Sequence, residues 1–119
     1  VKRAKPPRLG QWSIPGGKQE LGETIEEAVH REILEETSVK IEIIGLIDVV
    51  DAINLGKKGA VDFHATLIDY AARYIDGKEV AGSDAEEVGW FDVDEIGQLN
   101  LWKKTKQIIL ESKKVMEIK

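Results

Sequence analysis

Between Ile25 and Thr37 apolar residues fall at Ile25, Ala28, Val29 and Ile33, the three- and four-residue spacing of one helix face. Thr24-Ile25-Glu26-Glu27 carries a capping box, in which the Thr24 hydroxyl caps the Glu27 amide and the Glu27 side chain reaches back. The predicted helix therefore runs from about Ile25 to Thr37. Ile41 to Val50 is rich in Ile and Val and predicts a strand; Val61 to Tyr70 opens with clean alternation at Val61, Phe63, Ala65 and Leu67 and predicts another. A loop from Leu55 to Ala60 joins them, and turns are expected at Asp76-Gly77 and Ala81-Gly82-Ser83-Asp84. Glu87 to Val93, around Trp90 and Phe91, predicts a further strand. Asp94-Glu95-Ile96 opens a short helix, and Leu101 to Val115 reads as a closing amphipathic helix around Ile108, Ile109 and Leu110. Ahead of all these lie a basic loop, Ala4 to Gly10, and a short extended piece, Gln11 to Ile14. Strands and helices mix without regular alternation, so the class is α+β.

The helix carries a second pattern. At about 100° per residue, Glu32 and Glu36 fall in nearly the same sector as Ile25 and Val29. One face is apolar in its first turns and acidic in its last, with Glu35 alongside. A run of glutamates is more often a solvated surface, but that surface would oppose the core stripe, whereas this one continues it. Like charges at this spacing repel by a few tenths of a kcal/mol per pair. A cation that gathers them is the simplest reason to keep them. Pro15-Gly16-Gly17-Lys18 lies just upstream, with Glu23 between. Oxygen ligands at this density suit Mg²⁺ or Mn²⁺.

Composition narrows the choice of partner. With 42% apolar residues and 119 positions, the chain reads as one domain over residues 1–119 with a modest core. A formal charge of −5 provides no basic footprint for nucleic acid. An acidic chain that handles phosphates must cancel charge locally, which again favours a divalent metal. There is no cysteine and no apolar run of membrane-spanning length, so no membrane partner is expected.

From Gly17 the chain reads Gly, five residues, Glu23, seven residues, Arg31-Glu32-Ile33, one residue, Glu35-Glu36, one residue, Ser38-Val39. This resembles the box of the Nudix hydrolases, which cut nucleoside diphosphates linked to another group. Ser38 stands where the pattern asks for Gly. Trp12-Ser13-Ile14-Pro15-Gly16 before the box, and Val88-Gly89-Trp90-Phe91 with Asp94-Glu95 after it, extend the likeness over most of the chain. The resemblance implies an α/β/α sandwich with a mixed sheet, Mg²⁺ or Mn²⁺ as cofactor, and a small nucleotide as substrate. It implies metal ligation by the Gly16 carbonyl, Glu32, Glu35 and Glu36, and a structural pair between Glu23 and Arg31. It implies catalytic roles for Glu35, Glu36 and a loop acid, with Asp84 the best match and Glu86 and Glu87 its rivals. Lys18, Arg3 and Arg8 are the candidate substrate contacts.

The lead-in to the box and the long second strand look most like the ADP-ribose pyrophosphatase group, which releases AMP and ribose phosphate. A MutT-like hydrolase of oxidised nucleoside triphosphates is the alternative, and a non-catalytic nucleotide sensor is disfavoured because every box carboxylate is present. Val1-Lys2-Arg3 is expected to be the end of a first strand that is truncated or missing. The location is expected to be cytoplasmic, and homodimerisation is left open. His30 carries no expected role, and His64 is expected to be packed or hydrogen-bonded. Trp12, Trp90 and Trp102 are expected in the core, with Trp12 as a second candidate to wall a base pocket. Ser38 is expected to force the helix-ending turn to rebuild.

Overall fold

The computed structural model describes residues 1–6 and 8–118. In chain order the elements are β1 (Lys2–Arg3), α1 (Ile25–Thr37), β2 (Lys40–Leu55), β3 (Val61–Asp76), β4 (Ala85–Glu87), a 3₁₀ helix (Val93–Gln98) and α2 (Lys103–Ile118). The α+β class holds. β2 and β3 form a long antiparallel hairpin, and β1 pairs antiparallel with β4. Two single bridges widen the small sheet, Lys2 antiparallel to Trp12 and Trp12 parallel to Leu101, which gives it mixed character.

α1 occupies the predicted span, with both arms of its capping box made: the Glu27 amide donates to Thr24 Oγ1 at 3.1 Å and the Thr24 amide to Glu27 Oε1 at 3.0 Å. At its other end Ser38 adopts φ 64° and ψ 16°, and its amide donates to the Leu34 carbonyl at 2.9 Å. The turn is therefore not rebuilt: serine takes the left-handed conformation itself, at a cost of roughly 1 kcal/mol relative to glycine.

The hairpin strands run well past their predicted ends. Register shifts between Ile43 and Gly45 and between Leu46 and Asp48 absorb extra residues, so pairing continues through stretches where alternation fails. On β3 the half-buried Phe63, Ala65, Leu67 and Asp69 lead to buried Ala71, with His64, Thr66 and Ile68 exposed between the first four. α2 packs along both strands. Its Thr105 and Ile108 are buried, and Val115 lies so close to Gly45 that a Cβ there would sit 3.2 Å from Cγ1. α1 packs on β2, and Ala28, Ile33, Val39, Ala52 and Ile96 complete the buried apolar set.

Two expectations fail after residue 84. The strand around Trp90 ends at Glu87, because its partner β1 is two residues long and the Phe91 ring then folds back over Gly89. Trp90 is consequently 61% exposed rather than in the core. Its ring edge meets Tyr74, and its indole N–H donates to Glu79 at 3.0 Å. Trp12 and Trp102 are partly buried; Trp12 packs edge-on against Phe91. His64 is not packed: its side chain is 55% exposed and 4.0 Å from Asp51.

Candidate functional site

The last two turns of α1, the Gly16-Gly17 turn and the loop before β4 meet at one place. Glu36 is its buried member at 7% exposure, and the Gly16 amide donates to its Oε2 at 2.7 Å. Burial pushes the Glu36 carboxyl above the usual range; the Gly16 bond works against this, while the charges of Glu32 and Asp84 add to it. A carboxylate placed here without a matching cation is held at a cost.

Arg31 organises the neighbouring acids. Its Nε donates to Glu23 Oε2 at 2.7 Å and its Nη2 to Glu23 Oε1 at 3.0 Å. The same Nη2 also reaches the Lys18 carbonyl at 2.8 Å, which ties the glycine turn to the helix. Nη1 lies 2.6 Å from Glu32 Oε1, 3.2 Å from Glu35 Oε2 and 3.7 Å from Glu20. The bonds to Glu23 and then Glu32 raise the guanidinium pKa, and Arg31 in turn draws the Glu23 carboxyl below its usual range. Gly17 lies against the Glu32 carboxylate, so closely that a Cβ on Gly17 would collide with it.

Asp84 is held by the N-terminal segment. Its carbonyl accepts from the Ala4 amide at 3.1 Å, and its Oδ1 lies 2.7 Å from Lys5 Nζ. The segment before it closes the end of α1: the Val80 amide donates to the Thr37 carbonyl at 2.9 Å and the Gly82 amide to the Glu36 carbonyl at 3.0 Å. These are carbonyls that a helix terminus leaves without internal partners. Gly82 is required by proximity, since a Cβ there would come within 2.5 Å of the Glu35 carbonyl oxygen.

The structure thus brings together Gly16, Glu32, Glu35, Glu36 and, by charge, Asp84. Of the rivals to Asp84, Glu87 is engaged by Lys2 at 3.3 Å. Lys18 is exposed and contributes its carbonyl to Arg31. Arg3 lies on β1, near enough for its charge to act on Arg8. Arg8 is engaged elsewhere. Its guanidinium stacks 3.8 Å above the Trp102 ring and donates to Asn54 at 3.1 Å, from a backbone held at φ 61°. Lys5 and Gly82 were not singled out by sequence reasoning. Their signals are weak, a lysine in a basic loop and a glycine in a turn.

Among the described residues no three His, Asp or Glu side chains converge closely enough to hold a metal as they stand. Arg31 Nη1 is bonded to both Glu32 and Glu35. The donor chemistry nevertheless fits a hard divalent cation: every candidate group is oxygen, and one is already stripped of solvent. A cation here competes with Arg31 for Glu32 and Glu35.

Comparison with known proteins gives the family. The model of the NUDIX domain matches residues 1–112. The chain is 36% identical over 99 residues to the ADP-ribose pyrophosphatase of Methanocaldococcus jannaschii, covering 83% of this chain and 56% of that protein. It is 34% identical over 93 residues to the oxidized purine nucleoside triphosphate hydrolase of Danio rerio, covering 78% and 56%. The chain therefore spans just over half the length of these relatives. Among solved structures, a MutT NUDIX hydrolase from Burkholderia pseudomallei superposes with a TM-score of 0.76 at 34% identity, covering 93% of this chain and 84% of that one. The NUDIX domain of Shewanella oneidensis NrtR, solved with ADP ribose, superposes with a TM-score of 0.75 at 23% identity over 98% and 75%, a likeness of fold.

Proposed function

The chain belongs to the Nudix domain family, and on that footing we propose that it is a Mg²⁺-dependent pyrophosphohydrolase that splits ADP-ribose into AMP and ribose phosphate. The observation that carries the reaction class is the gathering of Glu32, Glu35 and buried Glu36 at the end of α1, against the Gly16-Gly17 backbone. Supporting the substrate is the 36% identity to an ADP-ribose pyrophosphatase. The 34% identity to a hydrolase of oxidized purine nucleoside triphosphates keeps that substrate as the second reading. A binder that does not cut is disfavoured, since all the box carboxylates are kept.

In this reading the Gly16 carbonyl, Glu32, Glu35 and Glu36 would hold the cation, which would supply charge neutralisation at the phosphate and a more acidic attacking water. Glu35 or Asp84 accepts the proton of that water as it attacks one phosphorus and the bridging P–O bond breaks. Glu35 is the more accessible of the box acids, its side chain half exposed and tethered by a single Arg31 contact. Glu23 and Arg31 keep the glycine turn against the helix, so the site is shaped before substrate arrives. Lys18 and Arg3 supply positive charge for the diphosphate. Arg8, stacked on Trp102, is assigned no phosphate contact in the arrangement described. The expected partner is thus a small nucleotide, and no helix is long and apolar enough to cross a membrane among the described residues.

The test is a panel of ADP-ribose, dinucleotides, sugar nucleotides and nucleoside triphosphates with Mg²⁺, with products identified. ADP-ribose should show the highest kcat/KM, and excess chelator should abolish turnover. A triphosphate that wins by a large factor establishes the second reading; full activity in chelator removes the reaction class.

A further inference from the structure

Resting on the pyrophosphohydrolase reading above, we propose that Lys5 is a substrate-binding residue: it pairs with Asp84 in the free protein and transfers to a diphosphate oxygen when nucleotide and cation enter. The ion pair is short, Nζ to Oδ1 at 2.7 Å, yet both side chains face solvent, 68% and 56% exposed. An exposed pair of this kind contributes little to stability. It is therefore readily exchanged for another partner.

The backbone around it is fixed. Arg3 is in register with Ala85 across β1 and β4, and the Ala4 amide donates to the Asp84 carbonyl at 3.1 Å. Lys5 thus leaves the chain one residue after an anchored position, directly beside the loop acid. Asp84 in turn is near enough to Glu36 for its charge to act there. The ammonium is thus held 2.7 Å from the loop acid, which lies on the stretch of chain that closes over the end of α1 through Gly82 and Glu36.

Charge balance dictates the exchange. When Asp84 turns towards an arriving cation, Lys5 loses its counter-charge, and the substrate brings a diphosphate in its place. Each ion keeps an opposite partner throughout. Arg31 is committed to Glu20, Glu23, Glu32 and Glu35, Lys2 to Glu87, and Arg8 to Trp102 and Asn54, so Lys5 adds to the charge that Lys18 and Arg3 supply. A lysine suits the role as a mobile point charge on a long stem.

The experiment compares wild type, Lys5→Gln, Lys5→Arg and Lys113→Gln in the full chain. It combines steady-state kinetics on ADP-ribose in Mg²⁺ with calorimetric titration of the methylene-bridged ADP-ribose analogue. Losing a charge-assisted bond to phosphate should raise KM, and the analogue's Kd, roughly tenfold in Lys5→Gln. kcat should stay within about twofold, because the contact is made in ground and transition states alike. Lys5→Arg should recover most of the affinity, and Lys113→Gln, which removes the same charge from exposed α2, should match wild type. Unchanged KM and Kd in Lys5→Gln overturn the proposal, as does a fall in kcat alone, which would make Lys5 a tether for Asp84. Wild-type protein inactive on every nucleotide of the panel overturns the pyrophosphohydrolase reading instead, and this role with it.

Discussion

Arg31 grips Glu23 through two parallel bonds, Nε to Oε2 at 2.7 Å and Nη2 to Oε1 at 3.0 Å, while the same guanidinium touches Glu32 and Glu35. It joins the loop after the glycine turn to the acidic end of α1. It also stands in for a cation between acids that otherwise repel one another.

Glu23→Gln should therefore act on stability first. The variant loses the charge-assisted fork and loosens the loop that Arg31 holds through the Lys18 carbonyl. A lower Tm and a mild kinetic loss are expected from thermal melts and steady-state kinetics. An unchanged Tm would show that the fork does not restrain the loop.

Glu35→Gln should act on chemistry first. The substitution keeps helix propensity and, on the proposed function, removes a negative charge from the cation site, so kcat should fall by roughly two to four orders of magnitude. Metal-free stability should hold or rise slightly, since like-charge repulsion with Glu32 is relieved. Early melting with near-normal kcat would make this residue structural.

The two acids with opposite shifts give opposite pH signatures without metal. Glu36 is pushed up by burial, so the folded state binds more protons than the unfolded one from the ordinary carboxylate range upward. Stability must then fall as pH rises through that window. Glu23 is drawn down by Arg31, so its contribution is present above the ordinary range and disappears as pH drops through its lowered value. Asp69, raised by burial and by Asp48, adds to the first trend in any variant. Comparing Glu36→Gln with wild type isolates the Glu36 part: the Gln variant should show a shallower loss of Tm above the carboxylate range. Identical slopes would mean that Glu36 ionises freely.

Ser38→Gly should stabilise the protein by about 1 kcal/mol, because serine at φ 64° bears the left-handed cost and its side chain faces solvent. Denaturant melts read this directly. A loss of stability would mean that the hydroxyl holds the turn.

Local signals were legible in the chain and distant pairings were not. α1 began and ended where its capping box and apolar stripe placed it, and the wheel argument located buried Glu36. β3 was cut short at Tyr70 because the shifts opposite it, near Gly45 and Asp48, interrupt the alternation that marks a strand. Trp90 misled because a bulky aromatic in an apolar run resembles core, while only the tertiary frame shows that Glu87 ends the ladder. The Lys5–Asp84 pair and the Arg8–Trp102 stack join residues far apart in sequence. No periodicity carries such information.

The docking of Val80 and Gly82 on the last carbonyls of α1 makes one strip of chain both the terminator of a helix and the carrier of the loop acid. Substitutions at Thr37, Ser38 and Gly82 should therefore show epistasis, each altering how much the others matter, because all three lie where residues 80–82 meet the last turn of α1. For an engineer, this corner has to be redesigned as a unit.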